Sequence, residues 1–433
     1  MAPHMPARAG KASHQLCAES FAATSDEDMR GHGSILGRVQ VLDNGASFGR
    51  YFCMTPDSSD NSHHRALMRI IQHRIQASGG WLSFDHFMAL ALYAPGLGYY
   101  ANDLRKFGTT PASGSDFVTA PELTPWFGRT LAHQVAQALS ETQTDEIWEF
   151  GAGSGALALQ LLQTLGPRVK RYTIVDLSGS LRARQQHTLQ AFADQVRWVD
   201  ELPAQLQGVV VGNEVLDAMP VQLLVRKQGV WHERGVVWVE GGGEGADSPL
   251  QWQDRVTDLR PPVDIEGEHD YLTEIHAQAQ AFVHTLADRF KASLAAGGQG
   301  GAAFLIDYGF AEHEYFHPQR HMGTLMCHQL HKADGNPLAD VGLKDITAHV
   351  NFTGIAVAAQ DAGLEVLGYT NQANFLINCG LLPPLVDAPL ADKAMAQKLI
   401  TEHEMGEFFK VIALGTHAWE PLGFERGDRS HTL

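Results

Sequence analysis

Residues 147–157, IWEFGAGSGAL, constrain the fold of this 433-residue chain more than any other stretch. An apolar strand pattern leads directly into glycines at three alternate positions, and a helix pattern follows at once. Glycine is required where a turn adopts positive φ and where a ligand approaches the backbone closely. The helix start adds unpaired N–H groups and the positive end of the helix dipole. The stretch therefore predicts a nucleotide-type cofactor site at Gly151, Gly153 and Gly155.

The residue two positions before the first glycine separates two cofactor classes. Read as G-x-G-x-x-A, the turn matches a dinucleotide fingerprint and would hold NAD. Glu149 opposes that interpretation, because its carboxylate would repel a pyrophosphate. S-adenosyl-L-methionine (SAM) instead carries an ammonium and a sulfonium, which a carboxylate attracts. Asp176 ends the next strand pattern, where it can accept from ribose hydroxyls in either class. We predict SAM, with NAD as the alternative.

Composition excludes several other classes of protein. The net charge is −17 and no long Lys or Arg block occurs, which argues against nucleic-acid binding. No apolar run reaches membrane-spanning length. His328, His331 and His349 lie in a histidine-bearing segment without cysteine or acidic partners, so no metal site is predicted. The four cysteines lack paired spacing and predict neither zinc binding nor a disulfide framework: Cys17, Cys53, Cys327 and Cys379.

Alternating strand and helix patterns predict an α/β fold with a doubly wound, mostly parallel sheet. We expect strands at 146–150, 172–176, 196–199, 208–212 and 302–307, and a final pair within 364–370 and 407–415. Helices are expected near 126–139, 271–295 and 345–362, and a β-meander within 222–240. The predicted domains are a disordered extension at 1–64, a helical cap with a cofactor-covering loop at 65–140, and a Rossmann-like domain at 141–433. Insertions are expected at about 222–262 and 311–350.

Three further acidic or polar residues are candidates for cofactor contact. Asp116 and Thr119 belong to a proline-bracketed polar loop just before the first strand of the sheet, from which they could reach over the cofactor. Asp200 follows the third strand and could accept from an adenine amino group. A surface connection remains the alternative for the loop, and a surface carboxylate the alternative for Asp200.

The fourth strand ends in a cluster that is suited to methyl transfer. Asn213, Glu214 and Asp217 emerge beside the predicted cofactor, and one helical turn would face both carboxylates the same way. Methyl transfer requires a positioned nucleophile with tuned protonation, and paired carboxylates suit an arginine guanidinium. The alternative is that Asn213 and Asp217 only cap a turn and the next helix. Asp307 and Tyr308, which end the fifth strand, and His349 are candidate substrate contacts.

Several stretches together resemble a family of class I SAM-dependent methyltransferases that includes the mitochondrial complex I assembly factor, a protein arginine methyltransferase. They are LGYY (97–100), DFVTAPE (116–122), EFGAGSG (149–155), NEVLDAMP (213–220), DYG (307–309), DITAHV (345–350) and MGEFFKV (405–411). The resemblance implies SAM at Glu149, the three glycines and Asp176, and arginine methylation of a protein. Asn351 stands where an Asp is expected, and the N-terminal extension is outside the pattern.

Four functions follow from these residues. The first is methylation of an arginine in a partner protein, with a respiratory complex I subunit as the candidate. The others are methylation of another acceptor, NAD-dependent oxidoreduction, and non-catalytic SAM binding by an assembly factor.

The N-terminus lacks the apolar core of a signal peptide and a strong transit pattern. We therefore expect a bacterial cytoplasmic protein, or a mitochondrial matrix protein if the source is eukaryotic. The sequence leaves the oligomeric state open, and a homodimer is one alternative.

Overall fold

The secondary structure alternates between strands and helices along most of the chain. The structure, a computed structural model, describes residues 58–102, 119–176, 179–240, 248–329 and 332–433. Asp116, His331, Cys17, Cys53 and residues 1–57 of the expected extension lie outside this range. Residues 58–64 belong to the first helix, so regular structure begins before the predicted boundary at 65.

The helices are α1 (Ser58–Ala77), α2 (Phe84–Tyr93), α3 (Ala120–Leu123), α4 (Trp126–Glu141), α5 (Ala156–Leu165), α6 (Gly179–Thr188), α7 (Ala277–Ala295), α8 (Glu312–Tyr315), α9 (Phe352–Asp361), α10 (Gln372–Asn378), α11 (Leu382–Leu385) and α12 (Leu390–Ile400). A π-helical turn spans Glu402–Gly406. The strands are β1 (Leu82–Ser83), β2 (Glu146–Phe150), β3 (Arg171–Val175), β4 (Val196–Val199), β5 (Gly208–Asn213), β6 (Gln222–Lys227), β7 (Val230–Trp238), β8 (Leu250–Val256), β9 (Tyr271–Ile275), β10 (Gly301–Phe310), β11 (Met326–Gln329), β12 (Lys332–Asp334), β13 (Asp345–Thr347), β14 (Val350–Asn351), β15 (Glu365–Asn371) and β16 (Phe409–Gly415).

The main sheet has the strand order β4-β3-β2-β5-β10-β16-β15, with β14 paired to the end of β10. Strands β2, β3, β4, β5 and β10 are parallel, and β16 is antiparallel to both of its neighbours. Along the chain, β2, β3 and β4 follow one another toward one edge of this sheet, and the next strand, β5, lies on the other side of β2. The direction in which successive strands are added therefore reverses between β2 and β5. Ligands bind beyond the carboxyl ends of the strands at such a reversal. The predicted doubly wound fold is confirmed.

Helices cover both faces of this sheet, as its sequence pattern predicts. Along β5, Val209 and Val211 contact a core formed with α4 and α5. Val210 points the other way, into a core formed with α7 and α9. The two cores explain why these parallel strands are apolar at nearly every position.

A second, antiparallel sheet has the order β1-β7-β6-β9, with β8 paired to β7. Helices α1 and α2 pack on this sheet, whereas α4 packs on the main sheet. The segment 65–140, which we expected to be one cap, therefore contributes to both layers. Strands β12, β11 and β13 form a small third sheet.

Three element boundaries differ from the sequence-based expectation. The helix expected at 271–295 begins at Ala277, because Tyr271–Ile275 pairs with β6 as strand β9. The expected meander contains one long strand, β7, where two short ones were predicted, and β8 completes it after residue 247. The helix expected near 345–362 begins at Phe352, and the side chain of Asn351 caps it by accepting from the Gly354 N–H at 3.2 Å. Asn and Asp are both good caps, so Asn351 preserves this role.

Within the described ranges, we find no helix with the length and apolarity needed to cross a membrane.

Candidate functional site

A cavity of about 870 Å³ lies where the strand order reverses, a size within the roughly 300–1,000 Å³ of small-molecule sites. Most of the predicted site residues line it: Thr119, Glu149, Gly151, Gly153, Asp176, Asn213, Glu214, Asp217, Tyr308 and His349. Strand β2 carries the glycine turn and β5 carries the acidic cluster. Because β2 and β5 are adjacent and parallel, their carboxyl ends bring the two motifs together.

The glycine turn has the backbone conformation that its sequence predicts. Gly151, Gly153 and Gly155 have φ values of +64°, +53° and +84°, a region that favours glycine. Gly155 does not line the cavity; it stands at the start of α5, where a Cβ would approach Gln185 within 3.5 Å. Gly151 and Gly153 therefore form the ligand-facing part of the turn, and Gly155 allows the helix to pack behind it.

Glu149 is a buried carboxylate beneath this turn, with 2% of its surface exposed. The Tyr172 hydroxyl donates to its Oε2 at 2.7 Å. Burial raises the pKa of Glu149 to about 8, repulsion from Asp176 acts in the same direction, and the hydrogen bond from Tyr172 opposes both. A cationic ligand group in the cavity would favour the ionised form.

Sequence reasoning missed Gln185, which is fully buried on α6. Its Nε2 donates to the Gly153 carbonyl oxygen at 3.1 Å and to Asp176 Oδ2 at 2.7 Å. Its Oε1 accepts from the indole N–H of Trp198 at 2.9 Å. One amide therefore connects the glycine turn to the acidic end of β3. The signal was absent from the sequence, because Gln185 lies in a polar stretch with weak helical amphipathicity.

Asn213, Glu214 and Asp217 lie at and just beyond the carboxyl end of β5, and all three line the cavity. The predicted helical turn from Glu214 to Asp217 is wrong: Glu214 has φ +55°, and the segment forms a non-helical turn. Asn213 Nδ2 donates to Glu214 Oε1 at 2.9 Å, and the Tyr308 hydroxyl donates to Asp217 Oδ2. Both carboxylates nevertheless line the same cavity.

Two oxygens of this cluster are buried without a hydrogen-bond partner among the described residues. They are Asp217 Oδ1 and Asn213 Oδ1. Burial raises the pKa of Glu214 to about 8, and the neighbouring Asp217 charge contributes. Burial also raises the pKa of Asp217, to about 6, against the opposing interactions with the Tyr308 hydroxyl and with the backbone N–H groups of Ala218 and Asp217. Unsatisfied buried acceptors are costly, so the cluster is suited to a ligand that donates hydrogen bonds.

Asp307 does not reach the cavity, contrary to its prediction as a substrate contact. It is fully buried, and its Oδ2 accepts from the backbone N–H groups of Val215, Leu216 and Asp217 at 3.1, 2.9 and 3.2 Å. Burial raises the pKa of Asp307, repulsion from Asp217 and Glu214 acts in the same direction, and the N–H groups of Asp217 and Leu216 oppose the shift. Successive side chains of β10 point to opposite faces, so Tyr308 lines the cavity while Asp307 lies behind it.

Asp200 also lies apart from the cavity lining. Its side chain is 67% exposed and forms an ion pair with Arg182. The structure therefore favours the alternative of a surface carboxylate over an adenine contact. Asp116 lies outside the described residues.

Aromatic side chains form the wall around the acidic cluster. Tyr93 stacks on Tyr100 at 5.6 Å, and Tyr308 makes edge contacts with His349 at 5.2 Å and Phe409 at 5.5 Å. Burial lowers the pKa of His349 to about 4, so its imidazole is neutral near pH 7.

The described ranges contain no group of three or more His, Cys, Asp or Glu side chains that could hold a metal ion. Cys327 and Cys379 are buried free thiols.

Comparison with known proteins decides the family. A family described as "Putative S-adenosyl-L-methionine-dependent methyltransferase" matches residues 130–370, more than half of the chain. The chain belongs to this methyltransferase family. Its cofactor is SAM, as Glu149 predicted, and the NAD-dependent alternative is set aside.

Two solved structures from Burkholderia thailandensis agree with this assignment. A COG1565 superfamily member bound to S-adenosyl-homocysteine (SAH) is 45% identical, with a TM-score of 0.80 over 88% of this chain and all of that chain. A second structure, a native crystal structure of a COG1565 superfamily protein, is 44% identical, with a TM-score of 0.76 and the same coverage.

Two animal proteins are more distant relatives. The Caenorhabditis elegans protein arginine methyltransferase NDUFAF7 homolog, mitochondrial, is 25% identical over 86% of this chain and 90% of its own length. The Danio rerio protein arginine methyltransferase NDUFAF7, mitochondrial, is 26% identical over 75% and 78%. The resemblance predicted from the short motifs is confirmed.

Proposed function

We propose that this methyltransferase transfers the methyl group of SAM to a guanidinium nitrogen of an arginine in a partner protein. The observation that carries the proposal is the buried Asp217 Oδ1, which lacks a hydrogen-bond partner among the described residues and lies in the same cavity as Glu214. Such an oxygen requires a donor, and a guanidinium offers five N–H groups in a planar fork.

Charge supports a cationic acceptor. The described residues that line the cavity include no Lys or Arg. They include six acidic residues: Glu122, Glu149, Asp176, Glu214, Asp217 and Asp345. Buried carboxylates are costly to ionise without a cation, which agrees with the raised pKa values of Glu214 and Asp217. Arginine suits this site better than lysine, because paired carboxylates bind its fork through two charge-assisted hydrogen bonds.

The geometry suggests how the residues share the reaction. SAM, when bound, supplies an electrophilic methyl group. Tyr308 holds Asp217 Oδ2, which leaves Oδ1 to accept a guanidinium N–H. Glu214 accepts a second N–H and concentrates electron density on the nitrogen that is methylated. Because Glu214 would then lie against the attacked nitrogen, we assign to its carboxylate the proton that this nitrogen loses.

The partner protein is proposed from the relatives. The two animal relatives are named as protein arginine methyltransferases, and we propose the same class of acceptor for this chain. A respiratory complex I subunit is the candidate target that the sequence resemblance implies. A small-molecule acceptor and a non-catalytic SAM-binding assembly factor are the competing functions.

Quantitative proteomics of methylarginine tests this proposal. We would compare cells that lack the gene with cells that express the wild-type protein or Glu214→Gln. We expect at least one arginine to be methylated only with the wild-type protein. An unchanged methylarginine profile together with restored growth or complex assembly by Glu214→Gln would contradict the proposal and favour an assembly factor.

We also propose that Gln185 contributes to cofactor binding, because its side chain fixes the position of Asp176 relative to the glycine turn. Gln185→Leu is expected to weaken SAM and SAH binding about tenfold, because three part-buried groups each lose the hydrogen bond that Gln185 makes to them. Calorimetric titration measures the change. Gln134→Leu is the matched control, since Gln134 is equally buried on α4 but its hydrogen-bond partners, Gln137 and Gly423, do not line the cavity. Equal losses of affinity in both variants would contradict the role of Gln185.

We also expect SAM binding to depend on pH through Glu149. The pKa of this carboxyl is about 8 before binding, and the positive charges of SAM stabilise its ionised form and lower that pKa. Affinity should therefore rise as the pH increases toward about 8 and level off above it, and binding at pH 7 should release protons. Calorimetry in two buffers of different ionisation enthalpy measures the protons released. The proton release should decrease in Glu149→Gln; an undiminished release would assign it to other groups.

A further inference from the structure

We propose that Asp307 is a positioning residue for methyl transfer, which holds the turn at 214–217 so that Glu214 and Asp217 face the transferred methyl group. This inference rests on the proposed roles of those two carboxylates, but it does not depend on which molecule is methylated. Asp307 itself is fully buried and does not line the cavity.

The end of strand β10 accepts the hydrogen bonds of all four backbone N–H groups of this turn. Asp307 Oδ2 accepts three consecutive backbone N–H groups, from Val215, Leu216 and Asp217. The preceding residue contributes too, because the Ile306 carbonyl oxygen accepts from the Glu214 N–H at 2.9 Å. Asp307 Oδ1 accepts from the Tyr308 N–H at 3.0 Å, and the Tyr308 hydroxyl donates to Asp217. Two adjacent residues therefore fix the backbone and the side chain of the same turn.

A carboxylate is needed at position 307 because the turn is unfavourable by itself. Glu214 has φ +55°, a region that costs about 1 kcal/mol or more for a non-glycine residue. Three N–H groups that converge on one point form an anion-binding nest, which an acceptor-only side chain satisfies. An asparagine must present its NH₂ group either to this nest or to the Tyr308 N–H. In both orientations a donor faces a donor.

The turn at 214–217 matters for methyl transfer because it lies next to the glycine turn of the cofactor site. A Cβ built on Gly151 would approach Val215 Cγ2 within 3.2 Å, so the turn packs directly against the glycine loop. Relaxation of the turn would move Glu214 and Asp217 relative to the cofactor while the cofactor loop itself stayed in place. Asp307 should therefore affect the acceptor side of the cavity far more than cofactor affinity.

Sinefungin provides a probe that separates these two effects. This SAM analogue carries an amine where SAM carries the transferred methyl group, whereas SAH has a neutral thioether and no substituent there. Carboxylates that face the methyl position will favour sinefungin over SAH. We would measure both dissociation constants by calorimetry for the wild-type protein, Asp307→Asn and Asp217→Asn. Glu274→Gln is the matched control, because Glu274 is also fully buried and accepts two backbone N–H groups.

We expect Asp307→Asn to reduce the preference for sinefungin over SAH at least tenfold and to change SAH affinity less than threefold. Glu274→Gln should leave the preference unchanged. If Asp217→Asn reduces the preference but Asp307→Asn does not, the positioning role is wrong while the proposed acceptor site stands. If neither variant reduces it, the placement of the carboxylates is wrong. Should Asp307→Asn not fold, Asp307→Glu, which keeps the charge but moves it by one methylene, is expected to show the same selective loss.

Discussion

Glu214→Gln and Asp217→Asn are each expected to reduce kcat by about 10²- to 10⁴-fold, the usual range for a group that positions or accepts a proton. Both variants retain the volume of the side chain and remove its charge. Without that charge, the guanidinium loses its counterion and the attacked nitrogen loses its proton acceptor. SAH affinity should change less than threefold, because the cofactor loop follows β2 and these residues follow β5.

The rates of the two variants are measured as transfer of a labelled methyl group from SAM into an extract of cells that lack the gene. Glu274→Gln again serves as a control for the removal of a buried carboxylate away from the cavity. If Glu214→Gln and Asp217→Asn both transferred methyl groups at the wild-type rate, the acidic cluster would be structural only.

Gly153→Val is expected to weaken SAM and SAH binding by about 100-fold or more. Gly153 has φ +53°, which a β-branched residue strongly disfavours, at a cost of about 1–3 kcal/mol. The turn would relax away from its binding conformation, and the new side chain would also stand in the cavity lining. Calorimetric titration measures both ligands.

Gly166→Val is the matched control for backbone strain. Gly166 has φ +54°, almost the same as Gly153, and it ends α5 with no atom within 4 Å of a built Cβ. It does not line the cavity. The control should lose stability but retain SAH affinity. Equal binding losses in the two variants would attribute the effect to strain alone and not to the cofactor site.

The sequence predicted the fold and the SAM cofactor because both depend on local patterns. Strand β2, the glycine turn and α5 follow one another within twenty residues, and each has a distinct pattern of apolar residues or glycines. Glu149 could be interpreted because its charge distinguishes SAM from a pyrophosphate. The acidic cluster after β5 was found for a similar reason: charged residues directly after a buried strand stand out.

Contacts between distant segments could not be predicted in this way. Asp307 and the turn it holds are separated by about ninety residues. Only the pairing of β10 with β5 brings them together, and strand alternation then turns Asp307 away from the cavity. Gln185 depends on how α6 packs against the glycine turn, which its polar sequence does not indicate. The strand β9 resembled the start of a helix because no turn residue separates it from α7.

Identification of the labelled amino acid tests the central claim most directly. Purified wild-type protein would be incubated with methyl-labelled SAM and an extract of cells that lack the gene, and the labelled protein would be hydrolysed to amino acids. We predict that the label is recovered as N-methylated arginine and that Asp217→Asn abolishes it. Label in methyl-lysine, or in small molecules while the protein fraction stays unlabelled, would contradict the assignment of a guanidinium to the Glu214 and Asp217 carboxylates.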